Sequence, residues 1–149
     1  MEIVILMLGW IGVFAPVALG VVGSTIGCSR AGMSACGAML DTESGYGKYI
    51  GISAMPSTQA VLGIVVMFTL NREITLANSP GIFGVGILTG VALMISAIHQ
   101  GNSVASAINA SKNKPEIFGL SIAPAAIVEG FAVFVFVFAL VVSGAIPEG

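Results

Sequence analysis

The stretch Ile122-Ala123-Pro124-Ala125-Ala126-Ile127-Val128-Glu129-Gly130-Phe131-Ala132-Val133-Phe134-Val135-Phe136-Val137-Phe138 decides what kind of chain this is. It is apolar except for one carboxylate, and it lies inside a run from Ile117 to Pro147 in which Glu129 is the sole charged residue. A helix needs about 20 apolar residues to cross the hydrocarbon core of a bilayer, and this run exceeds that length. Three more runs contain no Asp, Glu, Lys or Arg: Ile3 to Ser29, Tyr49 to Asn71 and Ile74 to Ser111. Composition agrees with four spans. A soluble domain is roughly 25% charged and 45–50% apolar, whereas these 149 residues are 8% charged and 56% hydrophobic, with a mean hydropathy of +1.05. That balance excludes a soluble enzyme, and it excludes disorder, which goes with few apolar residues. A formal net charge of −2 excludes a basic surface for nucleic acid. The expectation is an all-α integral membrane protein, in contact with lipid, with helices over about 3–39, 49–71, 80–111 and 117–146.

The connections set the topology. Asp41 to Lys48 joins the first two spans and Lys112 to Glu116 joins the last two, so both joints lie on one side of the membrane. Arg30, Lys48, Lys112 and Lys114 lie near that side and only Arg72 lies on the other. The positive-inside bias therefore places loops 40–48 and 111–116 in the cytoplasm. Glu2 stands where a signal peptide would carry a basic region, so the first span reads as a retained helix. The polar ends of the long first and third spans, Arg30 to Met39 and Asn102 to Ser111, have the length to project as helix into the cytoplasm. Cys28 and Cys36, eight residues apart on one helix, lie about 12 Å apart along its axis, too far for a disulfide.

The chain repeats itself. Gly51-Ile52-Ser53-Ala54-Met55-Pro56 opens the second span much as Gly119-Leu120-Ser121-Ile122-Ala123-Pro124 opens the fourth, and Ser24-Thr25-Ile26-Gly27-Cys28 matches Ser96-Ala97-Ile98-His99-Gln100. The fold expectation is thus a duplicated helical hairpin, residues 1–78 and 79–149, in parallel orientation, unlike the inverted repeats of secondary transporters. The first and third spans carry small residues four apart: Gly23, Gly27, Ala31 and Ala35 in one, and Gly86, Gly90, Ala97, Gly101 and Ala105 in the other. Such stripes let backbones approach closely. They fit either packing within one four-helix bundle or packing between copies. The second and fourth spans are bulky, notably Val61 to Leu70 and Phe131 to Phe138, as suits an outer layer against lipid.

Glu129 is the chemical centre. A carboxylate at the bilayer centre costs at least ~2.5 kcal/mol on insertion scales, and such residues mark ion or proton paths. Counted from the cytoplasmic loops at 1.5 Å per residue, Glu129, Gln59 and Gln100 reach nearly one depth, ~15–18 Å in, with Thr58 beside them. One carboxylate, two amides and a hydroxyl make a set of hard oxygen donors, suited to a hard cation. Pro56 lacks an N–H and frees a carbonyl around Ile52 as a further oxygen. A single carboxylate facing a monovalent cation makes a neutral site that can move past lipid. Either glutamine alone would equally serve interhelical hydrogen bonding, and His99 reads as a hydrogen-bonded packing residue.

The words Met55-Pro56-Ser57-Thr58-Gln59, Ser96-Ala97-Ile98-His99-Gln100-Gly101 and Ala126-Ile127-Val128-Glu129-Gly130 resemble the membrane-ring proteolipids of V/A-type rotary ATPases, the four-helix c-type subunits of the subunit K kind. The resemblance covers essentially the whole chain. It implies a homo-oligomeric ring in a prokaryotic cytoplasmic membrane, turning against a stator subunit that bears an essential arginine and coupled to central-stalk subunits, with ATP hydrolysed elsewhere in the complex. For the sodium-type members it implies Na+ held by the Met55 carbonyl, Thr58, Gln59, Gln100 and Glu129. A tyrosine that bonds the carboxylate in those relatives corresponds to Leu62 here, and His99 stands where a small residue is usual. Gln59 replaces the acid that a two-helix ancestor would carry, which leaves one ion per subunit and favours pumping over synthesis. No nucleotide-binding loop, metal-ligand cluster or nucleophile triad is present, so the chain is a carrier part, not an enzyme, and no organic cofactor is expected. Sodium is favoured over a proton because a proton does not require so many oxygens around it. A tetraspan scaffold and a freestanding small channel are the other readings.

Overall fold

The structure is a computed structural model and describes residues 1–148; the last residue of the second repeat, 149, lies outside the described residues. Its elements are α1 (Glu2–Asp41), α2 (Tyr46–Ser53), a 3-10 turn (Met55–Ser57), α3 (Thr58–Leu70), α4 (Ser79–Asn113), a 3-10 turn (Pro115–Ile117) and α5 (Phe118–Ser143), with no strand among the described residues. Four segments are long and apolar enough to cross a membrane: Glu2–Asp41, Tyr46–Leu70, Ser79–Asn113 and Pro115–Ser143. The chain is an all-α, multi-pass membrane protein built as two hairpins.

The second span is not one helix. Pro56 has no N–H to give and cannot sit in the interior of a regular helix without displacing the preceding turn. The chain accordingly tightens into 3-10 geometry over Met55–Ser57 before α3 begins. The corresponding Pro124 is absorbed inside a continuous α5. The two prolines differ in surroundings: Pro56 is buried, with its ring against Gly27, whereas Pro124 is exposed. α5 stops at Ser143, short of the expected residue 146, because Gly144 caps it and the chain turns there before Pro147.

α1 and α4 form the inner pair, and the small residues explain why. A Cβ placed on Gly86 would fall on the carbonyl of Gly12, and one on Gly101 would fall on the backbone of Gly27. These helices touch backbone to backbone, the approach that small residues permit in membranes. The stripe through Gly23, Gly27, Ala31 and Ala35 is buried, as are Gly86, Gly90, Ala97 and Gly101, whereas Ala105 is only half-buried. The two stripes thus meet each other within one chain, which resolves the choice left open by spacing. α2 and α3 lie against α1, and α5 lies against α4 and α3; α5 does not touch α1 among the described residues.

Two apolar clusters hold the ends. At the loop end Tyr49 is buried with Ala31, Ala35, Val104 and Ile108, and Phe118 meets it edge to face at 6.3 Å. The helix ends expected to project are therefore flanked by the starts of α2 and α5. At the other end Val66, Leu70, Ile82 and Ile146 pack together. There Arg72 closes the bundle: its guanidinium donates to the carbonyls of Thr69 (3.2 Å), Ser143 (3.2 Å) and Ile146 (3.4 Å). A cation at two helix C-termini opposes the partial negative charge of both. Val61, Phe68, Ile127, Phe131, Phe134 and Phe138 are exposed on the outer helices, which is the expected apolar surface toward lipid.

Candidate ion-binding site

The break at Pro56 positions the first half of the site. Because Met55–Ser57 is a tight 3-10 turn, the Met55 carbonyl faces Thr58, whose hydroxyl lies 3.0 Å from it and 3.2 Å from Gln59 Oε1. The carbonyl that reaches the polar cluster is therefore that of Met55, three residues beyond the position expected from the proline alone. Gln59 opens α3 and is fully buried, 0% exposed. Its Nε2 donates to Gln100 Oε1 at 2.9 Å and to Ser96 Oγ at 3.4 Å.

Gln100 is also 0% exposed and joins the two hairpins. Its Nε2 donates to Glu129 Oε2 and to the Ala125 carbonyl, both at 3.3 Å. All five residues singled out in the sequence, Met55, Thr58, Gln59, Gln100 and Glu129, thus lie along one polar chain across three helices, in which the single Thr58 proton goes to either the Met55 carbonyl or Gln59 Oε1. The chain has a direction. Every amide nitrogen points toward Glu129 and every amide oxygen points back toward Thr58, so a carboxylate at the end receives a donor. A carboxylate that receives a donor in this way is not left without a partner inside an apolar helix.

Glu129 itself is only half-buried, on the side of α5 between the polar chain and the apolar exterior. A carboxylate set this way can be reached from outside the bundle while it remains tied to Gln100. His99 is exposed and is not part of the chain.

Two residues escaped sequence reasoning. Ser96 Oγ accepts from Gln59 and donates to the Val128 carbonyl at 3.2 Å, next to Glu129. Ser24 Oγ accepts from the Ala60 N–H at 3.2 Å, next to Gln59. The signal was present, because Ser24 and Ser96 occupy the same place in the internal repeat; each ties an inner helix to the outer helix that bears the polar residue. With them in place, no buried side-chain nitrogen or oxygen among the described residues lacks a hydrogen-bond partner.

No cluster of three or more His, Cys, Asp or Glu capable of gripping a transition metal exists among the described residues. The oxygens present beside the single carboxylate, from amides, a hydroxyl and the backbone, are hard donors.

Fold and site together define a double-hairpin membrane protein with one half-buried carboxylate at the end of a polar chain. The family of the ATP synthase C subunit matches the chain twice, over residues 11–70 and 83–142, and the chain belongs to that family. The A-type ATP synthase subunit K of Methanocaldococcus jannaschii is 30% identical over 138 residues, covering 89% of this chain and 62% of that protein. The chain therefore spans somewhat less than two thirds of the length of this relative.

Proposed function

We propose that the chain is the ion-carrying rotor-ring subunit of an A/V-type rotary ATPase in a prokaryotic cytoplasmic membrane, and that each copy carries one ion on Glu129. The two repeats, 1–78 and 79–149, are its two hairpins, and the subunit is non-catalytic, with ATP chemistry in other subunits. The observation that carries this reading is the continuous polar chain from the Met55 carbonyl through Thr58, Gln59 and Gln100 to Glu129. A purely structural glutamine pair would not need to end on the one acid that a membrane helix carries at cost.

The cargo proposed is Na+. Five oxygen-bearing groups line the polar chain where a proton would need one acceptor. Sodium loading turns the carboxamides so that their oxygens, instead of their nitrogens, face the carboxylate; the bound ion then supplies the positive partner that Gln100 Nε2 supplies in its absence. Loading neutralises Glu129, and the neutral site can pass lipid. Unloading occurs opposite an arginine on a separate stator subunit, which pairs with the freed carboxylate. Moving one charge against 100 mV requires ~2.3 kcal/mol, which the central stalk delivers from ATP hydrolysis elsewhere.

A proton is the second reading. The observation favouring it is that Gln100 Nε2 already satisfies one carboxylate oxygen, so a protonated Glu129 could ride as a neutral acid with no other rearrangement.

Labelling of the purified ring with a hydrophobic carbodiimide, which attacks protonated carboxyls, separates the two. Sodium that slows Glu129 modification in competition with protons supports the sodium carrier. Labelling that follows pH and ignores sodium supports the proton carrier. A Glu129 that never labels at any pH, while the same reagent labels a lipid-facing acid of a control membrane protein, contradicts both.

A further inference from the structure

The internal repeat can be used to ask where a second copy sits. Ser24 and Ser96 are equivalent, and the two family matches start at residues 11 and 83, the same displacement. In that register the α1 residues buried against α4, Gly23 and Gly27, correspond to Ile95 and His99, which are exposed. Conversely, the α4 residues buried against α1, Gly86, Ala97 and Gly101, correspond to Phe14, Thr25 and Ser29, which are also exposed. At these positions each inner helix uses in the α1–α4 contact the face that the other leaves open, whereas Gly90 corresponds to the half-buried Ala18 and Ala35 to the buried Ala107. Two such open faces on opposite sides of a subunit are complementary head to tail, the kind of contact that closes into a ring.

The chemistry of the open faces supports the match. His99 is exposed one residue before the fully buried Gln100, at the depth of the ion site, and it lines a groove of about 390 Å³ between α4 and α5 with Ile95, Ser96, Val128 and Phe131. An imidazole facing lipid at that depth would be left without a hydrogen-bond partner. Thr25 and Ser29 are exposed hydroxyls on the opposite side of the bundle. Thr25 donates to the Val21 carbonyl at 2.8 Å and keeps its lone pairs free, and the Ser29 hydroxyl donates to no protein group among the described residues. Within the subunit Gly27 lies against the Ala97 carbonyl and the backbone of Gly101. The repeat carries that contact to His99 against Thr25 and Ser29.

Resting on the ring reading above, we propose that His99 of each copy hydrogen-bonds to the Thr25 and Ser29 hydroxyls of the next copy, and that this seam is wider than the glycine seam inside a copy. The widening follows from bulk, since histidine and isoleucine stand where glycines allow backbone contact. The ring then alternates close and open seams, and each open seam borders the face of α5 next to Glu129.

The test is cross-linking in the assembled ring, with Cys28 and Cys36 replaced by serine. The double variant His99→Cys with Thr25→Cys is treated with a short bis-methanethiosulfonate, which links two thiols through reducible disulfides, and a second pair, Ile95→Cys with Val22→Cys, checks the register because Gly23 lies against Met94 in the close seam. Both pairs should give a ladder of dimers and larger species that collapses on reduction, and each single variant should give none. Rings of full mass by native mass spectrometry in which neither pair produces a ladder would overturn the proposal while leaving the ring intact. A protein that is monomeric by native mass under all conditions would overturn the ring reading itself.

Discussion

Gln100 on α4 holds Glu129 on α5: its Nε2 lies 3.3 Å from Glu129 Oε2 while its Oε1 accepts from Gln59 at 2.9 Å. One buried side chain thereby links the two hairpins and satisfies the carboxylate. Its four hydrogen-bonding capacities are nearly all used, because Nε2 also donates to the Ala125 carbonyl.

Gln100→Leu should therefore be more damaging than loss of one hydrogen bond. It leaves Gln59 Nε2 with only the longer contact to Ser96 Oγ and takes away the donor to Glu129, and an unsatisfied buried group costs about 1–3 kcal/mol. The expected outcome is a ring that still assembles but in which sodium no longer slows carbodiimide labelling of Glu129. Gln100→Glu, by contrast, places a second acid beside the first and should raise the pH at which labelling falls off. Equal sodium protection in wild type and Gln100→Leu would show that the polar chain does not contribute to the site.

Glu129→Gln keeps the shape and the contact with Gln100 but removes the titrating group. Assembly, measured by native mass spectrometry, should be unchanged. Transport by the reconstituted complex should be lost, and with it carbodiimide labelling. Transport at wild-type rate would reduce Glu129 to an interhelical hydrogen-bonding residue and return the chain to a scaffold.

Gly86→Ala should break the α1–α4 contact, because its Cβ has no space beside Gly12. Overpacking of this kind typically costs about 1–3 kcal/mol. Gly47→Ala makes the matched control: nothing lies within 4 Å of a Cβ there, and alanine in a helix is favoured over glycine by about 1 kcal/mol. Thermal unfolding in detergent should fall for the first variant and hold or rise for the second. Equal melting of both would mean the glycine contact is not a source of stability.

Arg72 should be worth more than a surface arginine. It donates to three carbonyls at the ends of α3 and α5, and a charged hydrogen bond contributes roughly 1.5–3 kcal/mol. Arg72→Met should speed amide exchange around residues 69–72 and 143–146 and leave exchange near Tyr49 unchanged. Arg72→Lys should recover only part of the protection, since one ammonium cannot span the carbonyls as a planar guanidinium does. Uniform acceleration through the whole chain would point to global destabilisation and not to a local clasp.

The spacing of five basic and seven acidic residues was enough for four spans, because burying a charge in hydrocarbon is so costly that the gaps between charges mark the membrane. The repeat and the isolation of Glu129 followed from the letters alone, and so did the level of Gln59 and Gln100, since helical rise converts sequence distance into depth. Rotation of each helix about its axis did not follow. In a lipid-facing bundle nearly every side of a helix is apolar, so hydropathy does not say which side meets which neighbour. Only the packing decided that the glycine stripes of α1 and α4 meet within one chain, that Pro124, unlike Pro56, leaves its helix continuous, and that Ser24 and Ser96 brace the site. The direction of the amides from Thr58 to Glu129 is likewise a tertiary result, because each donor is oriented by the acceptor that the next helix brings to it.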